Sequence, residues 1–287
     1  MESRPAAADG LVHCRRRRLH TLHGEVFRVD DAWREVLAER GIVAGSDWAG
    51  FIGDVLVSTA PAIKCYLCHL PEQRTIYFKR YVNWKRAWKK FFLRPTKPAV
   101  ECWAYSRLKE LGIPTLDVIA FAERRRLGIF LAGCIVTRGV PGTFDLDAFA
   151  RTIWCHWPRA RRVETARAIA ATLLAQARTA HDNGFFHHDL KWRNILINPE
   201  GEPGSLVWID APRASRMRLR ERRGVITDLS GLARMAISLF SRFELMRWLH
   251  LYLGEGAGGA DAKRLFRQVQ RHLERRMPRP VDLSFPD

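Results

Sequence analysis

The sequence predicts an α+β protein of two lobes, a strand-rich first half followed by a mostly helical second half. The first half contains five short apolar runs separated by turn residues, whereas apolar residues at helical spacing dominate after Pro141-Gly142. With 287 residues, 47% of them hydrophobic, the chain can bury a large core in each half. We expect a basic, disordered arm over residues 1–20, an N-lobe over residues 21–140 and a C-lobe over residues 141–287.

The five apolar runs of the first half predict an antiparallel sheet. The PEQR turn precedes the third strand, and the charged segment Arg124–Arg126 is expected to form the turn before the last strand. One helix is inserted after the third strand. The predicted strands are residues 54–58, 62–70, 74–82, 115–123 and 128–137.

Helices are predicted from apolar periodicity and from their end signals. Asp30 can cap the first helix, and Asn183-Gly184 ends the long helix of the second half. The segment ILINPEGEPGSLVWID reads as a hairpin and the glycine-rich GEGAGGA as a linker. The predicted helices are residues 31–40, 98–111, 162–183, 225–253 and 263–277.

Composition narrows the class of partner. The net charge of +18 predicts a polyanionic partner, such as nucleic acid, an acidic membrane surface or a phosphorylated substrate. No secretory signal or transmembrane helix is expected, and six scattered cysteines fit a reducing compartment. Cys65 and Cys68 form a lone C-x-x-C without a second pair, so we interpret them as strand cysteines rather than a metal or redox site.

The segment HHDLKWRNILI, residues 187–197, allows three interpretations: a metal site, a nucleic-acid contact or a phosphoryl-transfer loop. Adjacent histidines on an extended loop point to different sides, and no further ligands stand at zinc spacing. The nucleic-acid interpretation rests on Lys191, Trp192 and Arg193 without any known reader motif, so no nucleic acid is expected. His187 is better explained as an inward-packed residue that braces the loop.

The third interpretation fits the pattern H-x-D-L-K-x-x-N, which is typical of a kinase catalytic loop between a long helix and a hairpin. Asp189 would accept the proton of the acceptor hydroxyl, and Lys191 could reach the transferring phosphate. Asn194 and Asp210, the latter at the end of the hairpin, are the predicted Mg²⁺ ligands. Ala211-Pro212 stands where kinases usually have Phe-Gly.

The N-lobe supplies candidates for nucleotide binding. Lys79 lies on the third predicted strand and Glu101 on the helix after it, the order expected for the ion pair that anchors the phosphates. The turn expected over the phosphates, residues 57–62, contains no glycine, so its backbone would approach the phosphates less easily. The other predicted nucleotide contacts are Ser58, Thr59, Thr137 and Val140, the last two at a hinge expected near residues 137–142.

Two features argue against a phospho-regulated protein kinase. Only eighteen positions separate Asp210 from Asp228, which is too short for a long activation segment. His188 replaces the arginine that would receive an activation-loop phosphate. Asp228 itself has two interpretations, a support for the catalytic-loop backbone or a simple helix N-cap.

On these motifs the chain resembles the lipopolysaccharide kinase (Kdo/WaaP) family, which shares the bilobal protein-kinase-like fold. The resemblance implies use of ATP and Mg²⁺ to phosphorylate a heptose or Kdo sugar of the lipopolysaccharide inner core. It also implies catalytic and metal roles for Asp189, Asn194 and Asp210. The motifs that carry it, over about residues 25–255, are YFKRY, AVECWAYSRLKELGIPT, FFHHDLKWRNILI, Ile209-Asp210 and Ile226–Leu229.

Other functions remain possible on the sequence. One is a small-molecule phosphotransferase of the aminoglycoside or choline kinase type. Another is a catalytically weak, pseudokinase-like protein that binds glycolipid, which the glycine-free turn and Ala211-Pro212 leave open.

Charge patterning indicates the partners. The stretch NWKRAWKKFFLRPTK mixes aromatic residues with six cations, which suits an acidic interface, although a solvated basic face is the alternative. We expect lipopolysaccharide or its lipid-linked core precursor as substrate, the acidic inner face of the inner membrane as a surface, and no obligate protein partner. We therefore expect a cytoplasmic enzyme that is peripherally bound to the inner membrane. Six arginines follow the metal aspartate, where the acceptor should lie: Arg213, Arg216, Arg218, Arg220, Arg222 and Arg223.

Overall fold

The computed structural model describes residues 12–82, 91–202, 204–217 and 221–276. The chain divides into two compact units. The first comprises Met1–Arg107 with Leu116–Pro141, and the second comprises Leu108–Thr115 with Gly142–Asp287.

The first unit is built on a six-stranded antiparallel sheet with the order β1-β5-β6-β4-β3-β2. The five predicted strands are present, and the additional strand β1 covers the edge of β5, with Phe27 opposite Ala122. The sequence prediction missed β1 because Glu25 and Arg28 interrupt its short apolar pattern. The strands are β1 Gly24–Val29, β2 Val55–Ala60, β3 Ile63–His69, β4 Thr75–Val82, β5 Val118–Arg126 and β6 Ile129–Arg138.

Two helices accompany this sheet, as predicted. A 3₁₀ turn, Asp31–Trp33, leads into α1, Arg34–Glu39. The Asp30 carboxylate caps the 3₁₀ turn by accepting the Ala32 N–H at 2.8 Å. The inserted helix α2, Lys97–Glu110, ends before Gly112, whose φ of 70° reverses the chain at little steric cost.

Strand alternation gives the sheet two different faces. Ile76 and Phe78 of β4 join a buried cluster with Trp33 and Leu37 on one face. Lys79, one position on, belongs to the opposite face, where its side chain meets α2. The period of two therefore places the ammonium group of Lys79 on the α2 side of the strand.

The predicted turn at Arg124–Arg126 is wrong. These arginines belong to β5, and the chain turns at Leu127 and Gly128, which adopt φ values of 49° and 80°. A tight hairpin of this hand needs two left-handed residues, and the glycine meets that requirement better than an arginine. Arg124 and Arg125 find carboxylate partners within the sheet, Glu25 and Glu123, whereas Arg126 is exposed at the strand end.

The partner of Arg125 is Glu123, and both side chains are fully buried. The guanidinium also donates to the carbonyls of Phe91, Arg94 and Gly128, at 2.9, 2.6 and 2.9 Å. Its donors are therefore nearly all satisfied, which is the condition under which a buried ion pair is tolerated. The result is that the chain around residues 91–94 is fixed to β5.

The predicted disordered arm is wrong for residues 12–20. Val12 and Cys14 are buried. The Val12 N–H donates to the Val118 carbonyl and the Cys14 N–H to the Ser106 hydroxyl, both at 3.0 Å. The side chains of Val12 and Cys14, which precede the basic run Arg15–Arg18, anchor this segment to the core, and the four arginines stay exposed. Residues 1–11 lie outside the described residues.

The second unit is mostly helical, with short strands that form one three-stranded and one two-stranded sheet. The long helix and the hairpin appear where they were predicted. The strands are β7 Phe144–Asp145, β8 Phe185–Phe186, β9 Ile195–Ile197, β10 Leu206–Trp208 and β11 Ser215–Arg216. The helices are α3 Leu146–Thr152, α4 Arg159–Asp182, α5 Glu221–Leu239, α6 Arg242–Leu253 and α7 Gly259–Arg276.

The single helix predicted over residues 225–253 is instead two helices, α5 and α6. Ser241 caps α6 in a reciprocal capping box, in which its own N–H donates to Glu244 at 2.8 Å. The signal S-x-x-E was visible in the sequence but lay within an apolar run. Helix α7 begins at Gly259, inside the segment predicted as a linker.

Among the residues that the structure places, no helix combines the length and the apolar character that a membrane crossing requires.

Replacing Arg125 by Met would strand the Glu123 charge in the core and take the guanidinium donors away from three carbonyls. We expect the free energy of unfolding to fall by about 3–5 kcal/mol in chemical denaturation. The matched control is Arg126→Met at the exposed neighbouring position, which should change stability by about 0.5 kcal/mol or less. Equal effects of the two substitutions would contradict a structural role for the buried pair.

Candidate active site

The first unit holds the predicted lysine–glutamate pair. The Lys79 Nζ on β4 lies 3.1 Å from each carboxylate oxygen of Glu101 on α2. The exposed fraction is 16% for the Lys79 side chain and 2% for that of Glu101. The carboxylate is thus enclosed, whereas the ammonium keeps access to solvent and to an anionic ligand.

Two tyrosines that the sequence interpretation missed fix the Glu101 carboxylate. The hydroxyl of Tyr81 donates to one oxygen at 2.5 Å, and that of Tyr105 to the other at 2.8 Å. Tyr81 lies two positions after Lys79 on the same strand face, and Tyr105 lies four positions after Glu101 on the same helix face. These spacings were the sequence signal that could have identified the two tyrosines. The tyrosines leave the carboxylate little freedom to turn away from Lys79.

The other nucleotide candidates lie in the same unit. Ser58 and Thr59 are exposed on β2, just before the turn that joins it to β3. Thr137 is buried on β6 opposite Tyr77 of β4, and Val140 follows β6 and is half-buried. Their contacts with a nucleotide stay predictions.

In the second unit, the segment between β8 and β9 brings three predicted residues together. The Lys191 Nζ lies 3.0 and 2.9 Å from the two carboxylate oxygens of Asp189. The Asn194 side-chain amide donates to the Asp189 carbonyl at 2.8 Å. Both Asp189 and Lys191 remain about one-third exposed. The Asp189 backbone is therefore fixed through its carbonyl, while its carboxylate keeps an accessible edge.

The hairpin brings the two predicted metal ligands to its open end. The Ile209 N–H donates to the Asn194 carbonyl at 3.0 Å, which extends the β9–β10 ladder by one step to the residue before Asp210. The Asn194 amide nitrogen is used within the loop, and this bond fixes the direction in which the side-chain oxygen points. An amide oxygen and a carboxylate are suitable donors for Mg²⁺.

Two non-glycine residues with left-handed backbone conformations belong to this site. His188 and Asp210 adopt left-handed φ values of 62° and 58°. Such conformations cost a non-glycine residue about 1–3 kcal/mol, and they persist only where surrounding contacts enforce them. They aim the loop carbonyls and side chains in directions that a relaxed chain would not provide.

The contacts that enforce the loop conformation come from Asp228. Its carboxylate accepts the N–H groups of His187 and His188 at 2.8 and 2.7 Å and is only 1% exposed. Asp228 lies in the middle of α5, so the N-cap interpretation is wrong and the loop-support interpretation is confirmed.

Helix α5 approaches the loop closely because glycines flank Asp228. A Cβ on Gly231 would stand 2.2 Å from the Leu190 carbonyl oxygen, and one on Gly224 would stand 2.3 Å from the Phe186 ring. With Asp228 they recur at helical spacing and form one face of α5. The indole N–H of Trp192 donates to the Leu232 carbonyl at 3.0 Å and completes the contact.

Comparison with known proteins identifies the chain at the level of its family. The model of the lipopolysaccharide kinase (Kdo/WaaP) family matches residues 72–252, well over half of the 287 positions. The chain belongs to this family. The resemblance inferred from the motifs is confirmed, and the phosphotransferase class follows from membership.

One solved structure that the lipopolysaccharide kinase fold resembles is "WaaP in complex with acyl carrier protein". It is 19% identical, with a TM-score of 0.66, and the match covers 87% of this chain and 98% of that one. The predicted kinase-like α+β fold is thereby confirmed. Matching chains of solved structures number 1512, so the fold alone leaves the substrate open. Among curated proteins, none matches the sequence.

In this lipopolysaccharide kinase family member, Asp228 has its own buried support. His181 lies 3.3 Å from Asp228 through Nε2 and 2.9 Å from the Tyr252 hydroxyl through Nδ1. Burial, followed by the charges of Asp182 and Asp228, raises the pKa of Tyr252 well above its usual value. The phenol therefore stays protonated and can donate to Nδ1, which leaves the Nε2 proton for Asp228.

The two loop histidines are scaffold rather than metal ligands. The His187 ring is buried and its Nε2 donates to the Ile209 carbonyl at 3.1 Å, while the His188 Nε2 lies 2.6 Å from the Ser215 hydroxyl. Within the described part of the chain, no three or more His, Cys, Asp or Glu side chains gather around a metal position. Cys65 and Cys68 lie on β3 and form no disulfide, and their odd separation puts them on opposite faces of the strand.

Asp228→Asn tests the loop support. The Asn amide offers one acceptor oxygen in place of two, and its NH₂ group would face one of the backbone N–H donors of the loop. We therefore expect the free energy of unfolding to fall by about 3 kcal/mol. Displacement of the loop should lower kcat roughly 100-fold with little change in the KM for ATP. Hydrogen exchange at the His187 and His188 amides should accelerate in parallel.

Tyr252→Phe is the control for that experiment, because it keeps both carboxylate–amide bonds and removes only the hydroxyl behind His181. It should retain kcat within a fewfold of the wild type. An Asp228→Asn enzyme with normal kcat and normal amide protection would exclude the proposed role of the carboxylate.

Proposed function

We propose that this chain is an ATP- and Mg²⁺-dependent kinase that phosphorylates a sugar hydroxyl, on heptose or Kdo, of the lipopolysaccharide inner core. The observation that carries the proposal is the fixed arrangement of Asp189, Lys191 and Asn194 in a member of this family. Each of the three is bound to another within one loop, so the arrangement does not depend on a flexible surface side chain.

Asp189 is proposed to receive the acceptor proton. Its accessible carboxylate edge can accept a hydrogen bond from the sugar hydroxyl and take the proton as the oxygen attacks phosphorus. Lys191, 2.9–3.0 Å from that carboxylate, can donate a further hydrogen bond to an oxygen of the transferred phosphoryl group. This would stabilise negative charge where it develops.

The remaining candidates are proposed to hold the nucleotide and its metal. ATP supplies the phosphoryl group, and Mg²⁺ neutralises phosphate charge. Asn194 Oδ1 and the Asp210 carboxylate would bind the metal, and Lys79, oriented by Glu101, would bind phosphate oxygens. Ser58 and Thr59 near the phosphates, and Thr137 and Val140 near the base, complete the proposed nucleotide contacts.

The acceptor is proposed to be anionic and not a protein. The segment after Asp210 is short, and the bond between His188 and Ser215 fixes it to the catalytic loop. Arg213 and Arg216 of this segment are exposed and could contact acidic groups of a core glycan. Arg218 and Arg220, like residues 83–90 of the basic–aromatic stretch, lie outside the described residues. Peripheral attachment to the inner membrane belongs to the same proposal.

The decisive experiment follows transfer of phosphate from Mg-ATP to purified lipopolysaccharide, with mass spectrometry of the core glycan to locate the phosphate. Asp189→Ala should lower kcat by roughly 10²–10⁴-fold, since it removes the general base. The variant should still show a thermal shift with Mg-ATP. Glu200→Ala, an exposed carboxylate in the hairpin turn, is the matched control and should retain full activity.

Different outcomes separate the alternatives. Activity on a soluble aminoglycoside or choline-type acceptor, without activity on the core glycan, would favour the small-molecule phosphotransferase. If the wild type and Asp189→Ala are equally inactive on every acceptor but both bind glycolipid, the kinase proposal fails.

A second candidate activity is binding of an acyl carrier protein, the partner named for the similar solved structure. The observation that favours it is a cavity of about 760 Å³ within the second unit, with a predominantly apolar lining. This volume is in the range of pockets that enclose a small ligand, so an acyl chain is a suitable occupant. Residues that line it include Phe149, Leu173, Trp192, Trp248 and Leu273.

Filling this cavity with Ala236→Trp should weaken binding of an acylated carrier protein and leave binding of the unacylated form unchanged. Titration calorimetry with both forms measures the difference. Equal affinity of the wild type for the two forms would contradict the assignment of the cavity to the acyl chain.

A further inference from the structure

Helix α7 has two chemically opposite faces. Ala262, Val269 and Leu273 are buried against the rest of the second unit. The exposed side carries a cation at every fourth position, which aligns them along one ridge of the helix. Over twelve residues this ridge is about 18 Å long. The cations are Lys263, Arg267, Arg271 and Arg275, and we refer to them as the α7 cationic ridge.

The ridge is not neutralised within the described part of the chain. None of its four cations pairs with a carboxylate there. Arg267 and Arg271 each use Nε–H on the backbone carbonyl four residues earlier, at 3.2 Å. Their terminal nitrogens therefore remain available as donors. The helix carries six lysine and arginine side chains against two carboxylates, Asp261 and Glu274.

The N-terminal turn of α5 adds further positive charge beside the ridge. The exposed Arg222 donates to Gln268 of α7 at 3.2 Å. Burial, then the charges of Arg276 and Arg223, lower the pKa of His272. Arginines of the two helices are thus close enough for their fields to overlap at one imidazole. Like charges at this density repel one another, and an anionic surface would relieve the repulsion.

We propose that the α7 cationic ridge binds the anionic headgroups of a phospholipid membrane. The proposal rests on the proposed function, because a core glycan attached to lipid must be reached at a membrane. The apolar face of α7 is already packed, so attachment is electrostatic and needs no insertion. A membrane is favoured over nucleic acid because the ridge contains no aromatic side chain on which bases could stack.

Vesicle cosedimentation tests the ridge directly, with phosphatidylcholine alone and with added phosphatidylglycerol, in the absence of ATP. The wild type should bind only the anionic vesicles, and rising salt should weaken the binding. Each cation near an anionic surface contributes about a fivefold gain. The triple variant Arg267→Gln, Arg271→Gln and Arg275→Gln should therefore bind roughly 100-fold more weakly.

The matched control removes the same charge from arginines that already pair with a carboxylate: Arg34→Gln, Arg74→Gln and Arg151→Gln. It should bind anionic vesicles nearly as well as the wild type. If the two triple variants lose equal affinity for anionic vesicles, net charge alone explains the binding, and the assignment to the α7 cationic ridge is overturned. Binding of single-stranded RNA but not of anionic vesicles would overturn it in favour of nucleic acid.

The outcome is separable from that of the kinase proposal. If the ridge is correct, its triple variant should phosphorylate a delipidated core oligosaccharide at the wild-type rate and vesicle-embedded lipopolysaccharide more slowly. If the wild type binds anionic vesicles but phosphorylates neither substrate, the kinase proposal fails and the ridge proposal stands. A triple variant with unchanged vesicle binding would defeat the ridge alone.

Discussion

The predicted catalytic loop of this protein depends on one buried carboxylate. Asp228 accepts two consecutive backbone N–H groups, from His187 and His188, and so holds the chain in a conformation that costs free energy at His188. A carboxylate in the middle of a helix can do this only if the helix comes very near. Gly224 and Gly231 allow that approach, since a Cβ at Gly231 would collide with the Leu190 carbonyl of the loop and one at Gly224 with the Phe186 ring on β8.

In the first unit a buried carboxylate is also held in place, but by side-chain hydroxyls rather than by the backbone. Glu101 is enclosed and must still present its charge to Lys79, and the hydroxyls of Tyr81 and Tyr105 keep it in place. In both units a buried acid on a regular helix is fully hydrogen-bonded, so it remains fixed when neighbouring side chains move. Rigid helices and strands therefore position the charged groups, and Lys79 and Asp189 keep partial access to solvent.

Family membership and charge contribute different parts of the functional assignment. The family model establishes a lipopolysaccharide kinase, whose chemistry is the transfer of phosphate. Charge distribution bears on where the enzyme works, because the net charge of +18 means that many cations have no carboxylate to pair with. The buried Arg125 and Glu123 neutralise each other and serve stability, whereas the ridge of α7 is exposed and uncompensated among the described residues. Only the second kind of charge is available to a partner.

The sequence by itself determined the α+β class, five of the six strands of the large sheet, the long helix α4 and the predicted catalytic loop, because each follows from local periodicity or from a fixed spacing. Tertiary structure decided what depends on distant partners. The edge strand β1 exists because β5 offers a free ladder, and Arg124–Arg126 stay in a strand because Arg125 finds Glu123 and three carbonyls. The support of the loop by Asp228 joins residues about forty positions apart, a distance that no local pattern encodes.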